Sequence, residues 1–98
     1  MRHLIALPRR GGKTHAMIEA MKAQGSDAVL MVMNQREAQR IHHEYDLPLK
    51  QIVVAKDIEK LRGRFPRPRL YIDNAELILE QLLGEQIDTM SVTVGKVN

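Results

Sequence analysis

Five short apolar runs recur along the 98-residue chain, at 4–7, 28–33, 52–55, 70–72 and 90–94. Four of them lack polar alternation, which is how strands read when both faces of their sheet are covered, the parallel-sheet situation. Between the runs the spacing turns helical. Residues 14–24 put Met17, Ala20 and Met21 at helical spacing and end at Gly25, a natural C-cap. Asn34 can cap a helix over 35–45, with Glu37 in the capping-box position and Ala38, Ile41 and Tyr45 along one stripe. Pro48 stops any continuation. Asp57 can cap a brief helix through Leu61 that closes at Gly63, and a longer one over 75–83 closes at Gly84. The order βαβαβαβαβ predicts an α/β fold, a three-layer α/β/α sandwich around a five-stranded, mainly parallel sheet.

The length fits one domain over 1–98. With 44% hydrophobic and 28% charged residues the composition is that of a soluble globular protein, and no apolar run approaches the ~20 residues that span a bilayer. The opening has four consecutive apolar residues before Pro8, Arg9 and Arg10, too short for a signal-peptide core, and the chain has no cysteine. Both predict a cytoplasmic protein held together by packing alone, with no membrane partner. The six methionines read as core gap-fillers. Fifteen basic against twelve acidic residues leave +3, too little to establish a nucleic-acid partner. The distribution changes that picture: Arg62, Arg64, Arg67 and Arg69 crowd RGRFPRPR, while Asp73, Glu76, Glu80, Glu85 and Asp88 lie beyond them.

Directly after the first apolar run, and directly before a helix, stands Leu7-Pro8-Arg9-Arg10-Gly11-Gly12-Lys13-Thr14. Phosphate binding needs glycines so that successive N–H groups can wrap the anion, a lysine for the outer phosphates, a hydroxyl for magnesium and a helix N-terminus behind them. Gly11, Gly12, Lys13 and Thr14 supply these parts, with Arg10 and His15 flanking them; a glycine-rich strand-to-helix turn beside solvated arginines is the plain alternative. The phosphate-loop pattern asks for glycine where Leu7 stands. A second element answers the first: 69–73 is an apolar strand ending in Asp73, at the carboxyl edge where ligands of open α/β sheets bind. Asp73 can hold magnesium. Asp73-Asn74-Ala75-Glu76 is equally a capping box that needs no metal.

LPRRGGKT resembles the Walker A segment of viral and phage terminase large subunits, whose loops often read Pro-Arg-Arg/Gln-x-Gly-Lys-Ser/Thr and likewise lack the first glycine. Residues 28–41 are similar to the second strand and following helix of terminases and DEAD/DEAH-type helicases, residues 61–78 resemble their approach to Walker B, and residues 90–95 sit where a motif III strand would be. The resemblance implies a minimal, single-lobe P-loop NTPase fold. It implies ATP or another NTP with Mg2+ as cofactors, Lys13 and Thr14 on phosphate and magnesium, Asp73 as the Walker B aspartate and Arg9 as an internal arginine finger. It also implies a phage-encoded protein acting in the host cytoplasm with DNA or a larger packaging, replication or helicase ATPase; oligomerisation is left open. One departure matters. The resembled families carry a catalytic glutamate immediately after the Walker B aspartate, whereas Asn74 stands here and an amide cannot take a proton from water. Glu76 is the nearest substitute, so hydrolysis is expected to be weak or absent.

Other candidates are weaker. Arg62, Arg64, Arg67 and Arg69 can grip a nucleic-acid backbone with Phe65 as a stacking face, or form a solvated loop. His42 and His43 point ~100° apart on a helix, unlike a zinc-binding pair. Two functional readings result: a nucleotide-binding protein, or a nucleotide-free adaptor or decoy of an ATPase lobe that binds nucleic acid or a partner through its arginines. The intact lysine-hydroxyl pair favours the first.

Overall fold

The computed structural model describes residues 3–6, 12–25, 27–63 and 68–95. Helix α1 spans Lys13–Gln24, strand β1 Ala28–Val32, helix α2 Gln35–Tyr45, strand β2 Ile52–Val54, strand β3 Arg69–Ile72 and helix α3 Ala75–Leu83. All three helices lie where their sequence signals put them. Asn34 caps α2 as expected, its side-chain oxygen accepting the Glu37 N–H at 2.9 Å. Gly25 and Gly84 end α1 and α3 with positive φ, the conformation that favours glycine.

Among the described residues the sheet has three parallel strands in the order β2-β1-β3. Every residue of β1 is buried, as its unbroken apolar run requires of a central strand covered on both faces. On one face Ile18 and Met21 of α1 and Ala38 and Ile41 of α2 pack on Ala28, Leu30 and Val32. On the other face Val29, Met31 and Val53 meet Ala55 and Ile78, with Ile78 the buried residue of α3. The first face therefore has two helices seated on it, while the second is thinly covered.

The five-stranded expectation is met in part. Leu4, Ile5 and Ala6 are in no strand, Leu7 lies outside the described residues, and residues 90–94 carry no regular structure. The helix expected over 57–61 is instead a 3₁₀ segment over Ala55–Leu61, kinked at Asp57 and beginning directly off the end of β2. A further 3₁₀ turn, Leu49–Gln51, comes after Pro48. No helix among the described residues is long and apolar enough to cross a membrane.

Candidate functional site

The site lies at the carboxyl edge of the parallel sheet, where chain direction alone puts the end of β3 beside the start of α1. Gly12 is the N-cap of α1 with φ 82° and ψ 19°, a left-handed turn, and its carbonyl accepts the Ala16 N–H at 3.0 Å. Among the described residues no side-chain cap bond is made at this end, and the first turn holds no acidic residue. The first N–H groups of α1 thus have no intrahelical partner, and the helix dipole favours an anion in front of them.

Across from this turn, the Thr14 hydroxyl donates to Asp73 Oδ2 at 2.9 Å, joining residues 59 positions apart. Asp73 is 4% exposed and is the one buried charged residue among those described. Its backbone N–H donates to Met31 O at 3.1 Å, so the end of β3 is pinned to β1. Among the described residues, the carboxylate has Thr14 as its only hydrogen-bond partner and no cation paired with it. Among the described residues no side-chain oxygen is both fully buried and without a partner, so the Asp73 oxygen that Thr14 does not bond keeps access to solvent.

The capping-box alternative for Asp73 does not form. The N-cap of α3 is Asn74, in the left-handed conformation at φ 56° and ψ 51°, without a side-chain cap bond. Asn74 O accepts the Leu77 and Ile78 N–H groups at 3.0 and 3.2 Å. Asp73 is thereby released from α3 and turned to Thr14. This backbone feature of the site was not legible in the sequence, where DNAE reads as a cap.

Lys13 is half-buried and forms no ion pair among the described residues, and His15 is exposed with its ring 6.4 Å from that of Tyr45. Glu76 is exposed on the first turn of α3 and bonds to neither Thr14 nor Asp73. His42 Nδ1 is 2.7 Å from Leu47 O, a structural contact at the end of α2. Arg9, Arg10, Gly11, Arg64, Phe65 and Arg67 lie outside the described residues. The two described arginines of RGRFPRPR both have local partners. Arg62 pairs with Glu59 at 3.3 Å, while Arg69 pairs with Asp27 at 3.5 Å and bonds Gln24. Arg69 opens β3 and Asp73 comes just after its end, so these two residues mark opposite edges of the sheet. The structure brings Thr14 and Asp73 together beside Lys13 and leaves Arg62, Arg69 and Glu76 outside that contact. No protein-family model matches the chain, and neither a curated protein nor a solved structure is significantly similar to it.

Proposed function

We propose that this chain binds a nucleoside triphosphate with magnesium, as a minimal P-loop nucleotide-binding protein. The observation that carries the reading is the hydrogen bond from Thr14 to the buried Asp73 carboxylate in front of an uncapped helix N-terminus. Thr14 and Asp73 would hold Mg2+, for which hard oxygen donors completed by water are the preferred set. The ion would neutralise phosphate charge. Lys13 and the N–H groups of Gly12 and of the first turn of α1 would take the phosphates, with Gly11 as the sequence-based candidate beside them. A decoy that binds no nucleotide has no use for a buried carboxylate facing a threonine.

Hydrolysis by the isolated chain is slow or absent on this reading. A positioned general base contributes ~10² to 10⁴ in rate, and Asn74 stands where that base belongs. Arg9 could stabilise charge on the transferring phosphate, but it cannot replace the base. The wider role we propose is a phage-encoded partner of DNA packaging, replication or helicase machinery. Its sheet would be completed to five strands by the apolar segments at 4–7 and 90–94.

The direct test is an ATP titration with and without magnesium on the natural chain and on Thr14→Val. The natural chain binds more tightly with magnesium, and Thr14→Val loses that difference while keeping the weaker magnesium-free binding. Equal binding by the natural chain with and without the metal would remove Thr14 and Asp73 from the site.

A further inference from the structure

We infer that two copies of this chain associate through helix α3, the α3 of each copy lying in an apolar groove on the second face of the other's sheet. The groove runs over Leu70 and Ile72 of β3, with Ile58 of the 3₁₀ segment on one side and Leu79 and Leu82 of α3 on the other. It encloses ≈ 400 Å³, and its lining is almost wholly apolar. Where the first face carries two full helices, the second carries α3 and a 3₁₀ segment, and Leu70 and Ile72 are left 43% and 36% exposed. Side chains of that kind on an inner strand face ordinarily lie under a helix.

Helix α3 has the surface of the missing cover. At 100° per residue, Ile78, Leu82, Ala75, Leu79 and Leu83 fall within an arc of about 140°. Its own sheet takes one margin of that arc, Ile78, which is buried. Leu82 and Leu83, at 67% and 61%, are the most exposed large hydrophobic residues among those described. A contiguous bare apolar surface of this kind marks an interface. The same patch supplies both the ridge and the groove, so the contact is isologous and closes at two copies. Antiparallel α3 helices that cross between Ile78 and Leu79 set Leu82 of each copy against Ala75 of the other, a large side chain on a small one, and both residues line the groove.

Charge selects the same occupant. The ionisable residues within Ala75–Leu83 are Glu76 and Glu80, both acidic, and they follow Leu83 around the helix on the side away from Ile78. On the opposite wall of the groove, two positions before Ile58, Lys56 is exposed and has no ion-pair partner among the described residues. A second α3 seated with its leucines on Leu70 and Ile72 brings its glutamates towards that lysine. The two surfaces are thus apolar in the middle and opposite in sign at the rim, the usual composition of a specific interface. Neither sheet edge is used, so β2 and β3 stay open to further strands.

Sedimentation equilibrium of the full chain without nucleotide tests this, so its outcome is separate from that of the binding proposal. The mass is expected to rise from that of one copy at ~1 µM to that of two at ~1 mM, the range of a small interface. Leu82→Glu puts a charge at a position already 67% exposed, so the fold is kept, as circular dichroism checks, and the variant stays monomeric throughout. Leu82→Met associates like the natural chain. Lys56→Glu, at an exposed position, weakens association by about threefold or more by setting like charges against each other. A natural chain that is still monomeric at ~1 mM overturns the proposal. So does a dimer that survives Leu82→Glu with the fold intact, or one whose strength Lys56→Glu leaves unchanged.

Discussion

At the scale of single residues, Asp73 is the pivot of the site, because it is the one buried charged residue among those described and its side-chain partner comes from the start of α1. Replacing Asp73 by Asn keeps a group that can accept from Thr14 and removes the buried charge. The ligand-free melting temperature of Asp73→Asn is therefore expected to equal or exceed that of the natural chain, while its magnesium-dependent nucleotide binding is lost. A fall of more than about 1 kcal/mol in stability with nucleotide binding intact would make Asp73 a structural residue instead, since that is the scale of a lost buried hydrogen bond. Asn74→Glu probes the other half of the site by restoring the Asp-Glu pair. ATP turnover by this variant should exceed that of the natural chain by ~10² to 10⁴ if the missing base is what limits it; brisk turnover by the natural chain, lost on Glu76→Gln, would put the base at Glu76. Thr14 and Asp73 were each legible as candidates from residue type and position. The bond between them was not, because it depends on β3 lying next to β1, and local sequence does not state which strands are neighbours. The conformation of Asn74 was hidden for a related reason: DNAE satisfies a capping box locally, and only the packed chain shows that Asp73 is claimed elsewhere.

At the scale of elements, the helices were readable because their ends carry their own chemistry. Asn34 fixes the start of α2, while the Glu37 carboxylate, in place of the expected bond back to the Asn34 N–H, accepts from Arg40, which braces the outer face by bonding Glu37 and Glu44 at 2.8 and 3.0 Å. The hydrogen bond to Glu37 is the main reason that the Arg40 guanidinium holds its proton more tightly than usual. The segment after β2 was less readable, since Asp57 looks like a cap but sits at a kink inside a 3₁₀ run. Helix α1 offers a clean comparison between its ends. Gly12 and Gly25 both have positive φ, 82° and 96°, and a Cβ at either would meet nothing within 4 Å. Alanine is thus expected to cost about 1 to 2 kcal/mol at Gly12, which is in the left-handed helical region, and up to about 3 kcal/mol at Gly25, whose φ 96° and ψ −159° only glycine adopts readily, with no steric clash at either among the described residues. Only Gly12→Ala should also weaken nucleotide binding, because only that turn faces Asp73. Equal losses of nucleotide affinity in the two variants, measured by titration, would show that the turn at Gly12 serves the helix and not a ligand.

At the scale of the whole molecule, the α/β class and the parallel sense of the sheet were legible in the unalternating runs and the helices between them. The extent of the sheet was not. A run such as 90–94 announces strand tendency, but pairing depends on an edge supplied from elsewhere in the fold, and these residues carry no regular structure. Charge is divided along the same lines. Arg69 lies with Asp27 and Gln24 at the amino edge of the sheet, and the Thr14–Asp73 contact is at the carboxyl edge, so an arginine-mediated contact and a phosphate site would use opposite ends of β3. The measurement that bears most directly on nucleotide binding is thermal melting in ATP and magnesium. A ligand that binds only the folded state at a hundredfold excess over its Kd adds ~2.7 kcal/mol, which in a domain of this size raises the melting temperature by roughly 10 to 20 °C. The natural chain is expected to show such a rise, approached as nucleotide reaches saturation, and Lys13→Ala is expected to show none. An unchanged melting temperature for the natural chain at millimolar ATP and magnesium, or an equal rise in Lys13→Ala, would contradict nucleotide binding at this site.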